Sequence, residues 1–248
     1  MNKNKEIKAR VDYKLLSQVN KKLTLKKFNN FTASKFLRAA INNFIEKDLF
    51  NYIANTNAII IILNDIKVDL AGVPANVTQI IEHIENDTDT KQLVLNLKTL
   101  SNRNADYIKE INKLIKLLTP FDDKRKKESL IKARIEESIY LDILIQLNQY
   151  TNLKLDISKF IRAALKYYLD KKYYTISDNK IKLARELISN SNQIGLVSNE
   201  INRIAFTLNV GEPVGIKDIT NASNELNEFS ELTHHLVNKL YDESLREF

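Results

Sequence analysis

The chain has 248 residues, enough for one large domain or two smaller ones, and no cysteine, which removes disulfides and thiolate metal sites. Its formal net charge is +7, from 38 Lys and Arg against 31 Asp and Glu, so an anionic partner is expected. Four Gly and three Pro leave little material for tight turns and point to long helices.

The longest apolar run, Ala58 to Leu63, falls far short of the roughly 18–20 residues that span a bilayer, so no membrane insertion is expected. Met1 to Arg10 is polar and carries no apolar signal core. With the lack of cysteine, this suggests a cytoplasmic location.

From Ile7 to Asp12 apolar residues (Ile7, Ala9, Val11) alternate with long cations (Lys8, Arg10). Period-two alternation predicts a half-buried strand. A wet face made of Lys and Arg suggests a strand lying on something anionic. A helix is predicted from about Tyr13 to Lys27, with Leu15, Leu16, Val19 and Leu23 as its apolar stripe, ended by Asn29-Asn30. Thr32 then suits the N-cap of a second helix, whose apolar face reads Ala33, Phe36, Leu37, Ala40, Ile41, Phe44 and Ile45.

Residues 51–123 read as helices: a buried stretch from Ile59 to Leu70, a turn at Gly72-Val73-Pro74, then amphipathic segments over Val77–Ile84 and Leu93–Leu118. Pro120 and the basic run Lys124 to Lys127 mark a seam. The pattern then starts again. Ile131 to Glu136 repeats Ile7 to Asp12 at an offset of 124 residues, and Leu155 to Leu165 repeats Phe31 to Ile41 at the same offset without a gap. A fixed offset over some forty residues predicts duplication of one structural unit. The second copy has Ile139, Tyr140, Ile143 and Leu147 on its first helix and Asp156 as the N-cap of its second, with Ile157, Phe160, Ile161, Ala164, Leu165, Tyr168 and Leu169 facing inward. A long helix from about Asn179 to Leu208, a turn at Gly211-Glu212-Pro213 and a last helix to about Leu240 follow.

Charge follows the same division. Residues 1–50 carry +8 and 124–175 carry +6, whereas 51–123 carry −3 and 176–248 carry −4. The expected organisation is therefore four segments with these boundaries: two basic strand-helix-helix units, each followed by an acidic helical appendage. A lone short strand leaves its backbone groups unpaired, and forty-five residues cannot bury such faces alone. Each unit should pair with the other, strand antiparallel to strand.

Strand, helix, short turn, then a helix opening Thr/Asp-x-Ser-Lys-Phe-Leu/Ile-Arg-Ala-Ala resembles the ribbon-helix-helix DNA-binding fold of the Arc, MetJ and CopG type, over about 6–48 and 130–172. The implied fold is mainly α with one short two-stranded antiparallel ribbon, an intramolecular pseudo-dimer with helical appendages. The implied mechanism lays the ribbon in the major groove of double-stranded DNA. By position, Glu6, Lys8, Arg10, Leu130, Lys132 and Arg134 would face the bases. Thr32, Ser34, Lys35, Ser158 and Lys159, in the turns Asn30–Lys35 and Lys154–Lys159, would meet phosphates at helix N-termini. Arg38 and Arg162 suit either a phosphate contact or an intramolecular pairing. Because Glu6 and Leu130 differ, the two half-sites should not be identical.

The stretch Asn199-Glu200-Ile201-Asn202-Arg203-Ile204-Ala205 with Leu208-Asn209 resembles the Asn-rich helix of plasmid mobilisation accessory proteins of the MobC type, and two DNA-binding units in one chain are similar to the TraY type. That resemblance implies a relaxosome component in conjugation, bound at an imperfect inverted repeat near a transfer origin. A relaxase or coupling protein would contact the appendages. The alternative is a ribbon-helix-helix transcriptional repressor or plasmid copy or partition regulator, and a basic membrane-surface or scaffold protein is a third class. No enzyme and no cofactor are expected. His83, His234 and His235 lack metal-ligand spacing, no phosphate-cradling Gly loop exists, and the tyrosines stand without the His cluster of a relaxase.

Overall fold

A two-stranded ribbon must bury one face and hydrogen-bond one edge of each strand, and the first and second strands do both for each other. The computed structural model describes residues 5–25, 31–118, 126–151, 155–170 and 177–246. Strand β1 (Lys5–Val11) runs antiparallel to β2 (Ser129–Ile135), with Lys5 opposite Ile135, Ile7 opposite Ala133 and Ala9 opposite Ile131. Among the described residues these are the strands; the remainder is mainly helix. By contacts the chain forms two units, one from residues 1–57, 120–176 and 247–248, the other from 58–119 and 177–246.

In the first unit Asp12 caps helix α1 (Tyr13–Leu23), its carboxylate accepting from the Leu15 N–H at 3.0 Å. Leu15 and Val19 are buried and Leu16 and Leu23 partly so. The expected extension to Lys27 and the Asn29-Asn30 terminator lie outside the described residues. Thr32 caps α2 (Ala33–Glu46) and Asp156 caps α6 (Ile157–Asp170). Helix α5 (Glu137–Gln149) precedes α6 and buries Ile143. The inner ribbon residues Ile7, Ala9, Val11, Ile131, Ala133 and Ile135 join Phe36, Leu37, Ala40, Ile41, Phe44, Phe160, Ile161, Ala164 and Leu165 in one core.

The two segments interlace. Helix α2 packs beneath β2, α6 beneath β1, and α2 against α6. Phe36 meets Tyr168 edge-on at 5.1 Å between ring centres, and Phe44 meets Phe160 edge-on at 5.2 Å. Phe50 lies parallel to Phe160 at 5.4 Å. Tyr167, at 4 % exposure, belongs to this core.

The second unit is built from α3 (Leu49–Ile84, whose residues from 58 on belong here), α4 (Lys91–Leu118), α7 (Asp178–Asn209) and α8 (Ile216–Arg246) around one core, with α8 packed on both α4 and α7. Here the expectation of a turn at Gly72-Val73-Pro74 is corrected: α3 runs straight through it. Pro74 has no N–H to give the Leu70 carbonyl, a loss of about 3 kcal/mol or more in a helix interior. Leu70, Val73, Val77 and Ile80 continue one buried stripe across it, at 1 % exposure or less, and that burial holds the helix together. The chain reverses later, in a 3-10 turn at Thr88–Thr90, where Asp87 accepts from the Asp89 N–H at 3.0 Å and Thr90 donates its hydroxyl to the Ile84 carbonyl. The turn after α7 stands where the sequence puts it. Gly211 takes φ +81°, the Glu212 N–H reaches the Thr207 carbonyl at 3.1 Å and the Gly211 N–H the Leu208 carbonyl at 3.0 Å, the paired bonds of a left-handed glycine C-cap. No described helix is long and apolar enough to cross a membrane.

Candidate nucleic-acid interface

Side chains alternate across a strand, so the burial of Ile7, Ala9, Val11, Ile131, Ala133 and Ile135 forces their neighbours outward. The outer face consists of Glu6, Lys8 and Arg10 from β1 and Leu130, Lys132 and Arg134 from β2, all exposed. The register sets Glu6 against Arg134, Lys8 against Lys132 and Arg10 against Leu130. These are the six positions expected at the bases, brought onto one surface.

The face is costly as a fold element. Like charges directly opposite one another destabilise a ribbon, and Lys8 and Lys132 are such a pair. Leu130 is 58 % exposed, with no burial to account for it. Relief is slight: Lys132 lies 3.9 Å from Glu6, and Lys5 pairs with Glu137 on α5 at 3.2 Å. Exposed pairs of this kind contribute about 0–1 kcal/mol. Four cations, one carboxylate and one aliphatic group at strand spacing can do little chemistry, but they can donate to, accept from and touch base edges.

Helix N-termini flank the ribbon. The Lys35 N–H donates to Thr32 Oγ1 at 3.2 Å, and the Lys159 N–H to Asp156 Oδ1 at 2.7 Å. Each cap therefore takes up one of the N–H groups that a phosphate would use. The two ends differ in charge. Thr32 leaves its helix terminus attractive to an anion, whereas the Asp156 carboxylate opposes one. Lys35 is exposed, Lys159 and Ser158 are half-buried, and Asn30 and Lys154 lie outside the described residues. Ser34 Oγ accepts from Arg38 at 3.0 Å, so this hydroxyl already has an internal partner.

Of the two roles open to Arg38 and Arg162, the described residues show an intramolecular contact for each. Each strand of a two-stranded ribbon has one edge without a strand neighbour. Arg38 on α2 donates to the Arg134 carbonyl of β2 at 3.3 Å, and Arg162 on α6 to the Arg10 carbonyl of β1 at 3.2 Å. Each arginine thus fixes the backbone of a residue whose side chain lies on the outer face. Spacing alone could not reveal this, because each partner lies far away in sequence.

In the second unit, Asn199, Asn202 and Arg203 of the Asn-rich stretch are exposed while Ile201, Ile204 and Ala205 are buried. Arg203 is held by Glu200 at 2.9 Å, a hydrogen bond that draws the Glu200 carboxyl below its ordinary range. Leu196 before the stretch and Phe206 within it, both 66 % exposed and on the same helix, were not singled out from sequence. Of the histidines, His234 pairs with Glu110 at 2.7 Å and stacks on Tyr107, and His83 bonds Asn209 at 3.1 Å. Among the described residues no three His, Asp or Glu side chains gather as a metal site. Compared with protein-family models, curated proteins and solved structures, the chain matches none.

Proposed function

We propose that this chain binds double-stranded DNA sequence-specifically through the β1–β2 ribbon laid in the major groove, as an intramolecular ribbon-helix-helix pseudo-dimer that arose by internal duplication. The observation that carries this reading is the outer ribbon face: Lys8, Arg10, Lys132 and Arg134 crowded onto one surface at a cost in stability, above a fully buried inner face. A major groove about 12 Å wide admits such a ribbon.

The duplication is supported by contacts that the 124-residue offset exchanges. Phe36–Tyr168 becomes Phe160–Phe44, Arg38–Arg134 becomes Arg162–Arg10, and Lys8 lies opposite its own counterpart Lys132. The α3–α4 reversal, from Ile84 to Lys91, lies 125 residues before the α7–α8 reversal, from Asn209 to Ile216, one residue off the same offset. In this reading the basic unit reads DNA and the helical unit contacts proteins.

The most concrete role is relaxosome accessory protein of a mobilisable element, resting on the resemblance of residues 199–209 and of the tandem arrangement. The partner would be a relaxase or coupling protein. A repressor would use the same ribbon and need no enzyme partner, so binding beside a nick site with co-purification of a relaxase separates the two. The test of DNA reading is footprinting with the double variant Lys8→Ala/Arg10→Ala. Good bidentate contacts contribute about 1–3 kcal/mol of discrimination each, so sequence preference in one half-site should vanish. An unchanged footprint refutes the groove assignment.

A further inference from the structure

The outer face is symmetric in its cations and asymmetric in the two residues that are not cations. One end carries Arg10 opposite Leu130; the other carries Arg134 opposite Glu6. The middle pair, Lys8 and Lys132, is the same from either side. Resting on the DNA-binding reading above, we propose that the two ends read different base edges, a thymine methyl under Leu130 and a cytosine amino group under Glu6, so that the chain sits on its duplex in one orientation.

The chemistry assigns the ends. In the major groove the C5 methyl of thymine is the apolar feature, and the N4 amino group of cytosine is the donor that a carboxylate accepts. Leu130, 58 % exposed and flanked across the ribbon by a cation, can bury its aliphatic tip only against such a methyl. Glu6 is repelled by phosphates and by the O6 and N7 acceptors of guanine, so a base donor is its favourable partner. Its present neighbour, Lys132 at 3.9 Å, is held loosely enough to be exchanged.

The supporting helices differ in the same sense. Arg38 ties the first turns of α2, with their neutral Thr32 cap, to the Arg134 end. Arg162 ties α6, with its anionic Asp156 cap, to the Arg10 end. The outer-face carboxylate, Glu6, thus stands at one end and the anionic helix cap, Asp156, at the other. A palindrome would waste one of these two arrangements.

The experiment is selection from a randomised duplex pool with the full chain, then with Glu6→Leu, Leu130→Glu and the exchange Glu6→Leu/Leu130→Glu. All the altered side chains are exposed, and a circular dichroism melt checks folding; Glu6→Gln serves where the leucine variant aggregates. Wild type should enrich a site with unequal halves. Glu6→Leu should lose the cytosine preference and move to a site with two alike halves, changing the preference between unequal and symmetrised duplexes about tenfold. The exchange variant should swap the halves. Deoxyuridine in place of thymidine, which removes only the methyl, should weaken wild-type binding at one half alone. A perfect palindrome from wild type, or unchanged base preferences in variants that still bind, overturns the proposal and leaves DNA binding standing. A pool that enriches no sequence refutes the DNA-binding reading itself, and the proposal falls with it.

Discussion

Replacing Arg38 by Met keeps the aliphatic stem and removes the guanidinium that spans from Ser34 Oγ at 3.0 Å to the Arg134 carbonyl at 3.3 Å. Hydrogen bonds from a charged donor contribute about 1.5–3 kcal/mol, and this one is exposed, so the net loss is placed at about 1 kcal/mol. Arg162→Met removes the matching bond to the Arg10 carbonyl, and the double variant should lose about 2 kcal/mol if the two act independently. Urea unfolding of each variant measures this directly.

The binding assay then separates a backbone clamp from a phosphate contact. A clamp that is lost leaves the dependence of affinity on salt unaltered, while sequence preference at the end served by that arginine weakens. A lost phosphate contact instead lowers the salt slope by about one and weakens all sequences alike. Lys35→Ala is the internal control, expected to show the second pattern. A salt slope that drops in Arg38→Met with stability unchanged would refute the structural role given to these arginines.

Phe44→Ala removes a fully buried ring that touches Phe50, Phe160 and Tyr167 and should destabilise the first unit by about 3–5 kcal/mol in urea; a loss under about 1 kcal/mol would mean that the helices do not interlock there. Because β1 and β2 belong to one chain, the melting temperature should not change with protein concentration, and a fall on dilution would show pairing between chains instead. Asp69 lies with its carboxylate 3.3 Å from where a Cβ on Gly195 would stand, and partial burial, aided by Asp65, raises its pKa. A raised acid favours the fold most below its unfolded pKa and loses that advantage as pH rises through the folded value. Asp69→Asn should therefore raise the melting temperature at pH 7 and have little effect near pH 3; an equal gain at both would rule out the charge as its origin.

The ribbon was legible from sequence because Ile7-Lys8-Ala9-Arg10-Val11 and its repeat alternate cleanly, and a period of two has one structural meaning. The caps Thr32 and Asp156 were legible because their side chains act within three residues of chain. What failed was punctuation inside α3. Pro74 reads locally as a helix breaker, yet the buried stripe from Leu70 to Ile80 overrides it. The true reversal lay in Asn86-Asp87-Thr88-Asp89-Thr90, a run of turn-forming side chains that could have been seen. At the interface, the six outward residues followed from alternation alone. The partners of Arg38 and Arg162 did not, since contacts across 96 and 152 residues have no local signature.

The crossed packing, α2 beneath β2 and α6 beneath β1, has a consequence for synthesis. A ribosome adding about 5–20 residues per second releases β1 some 6–25 s before its matching strand exists. Through that interval Ile7, Ala9 and Val11 have no sheet to join, and the nascent chain carries an open edge that any other newly made copy could occupy. Folding yield should therefore depend on how crowded the translating message is, a property set by gene expression as much as by the final contacts.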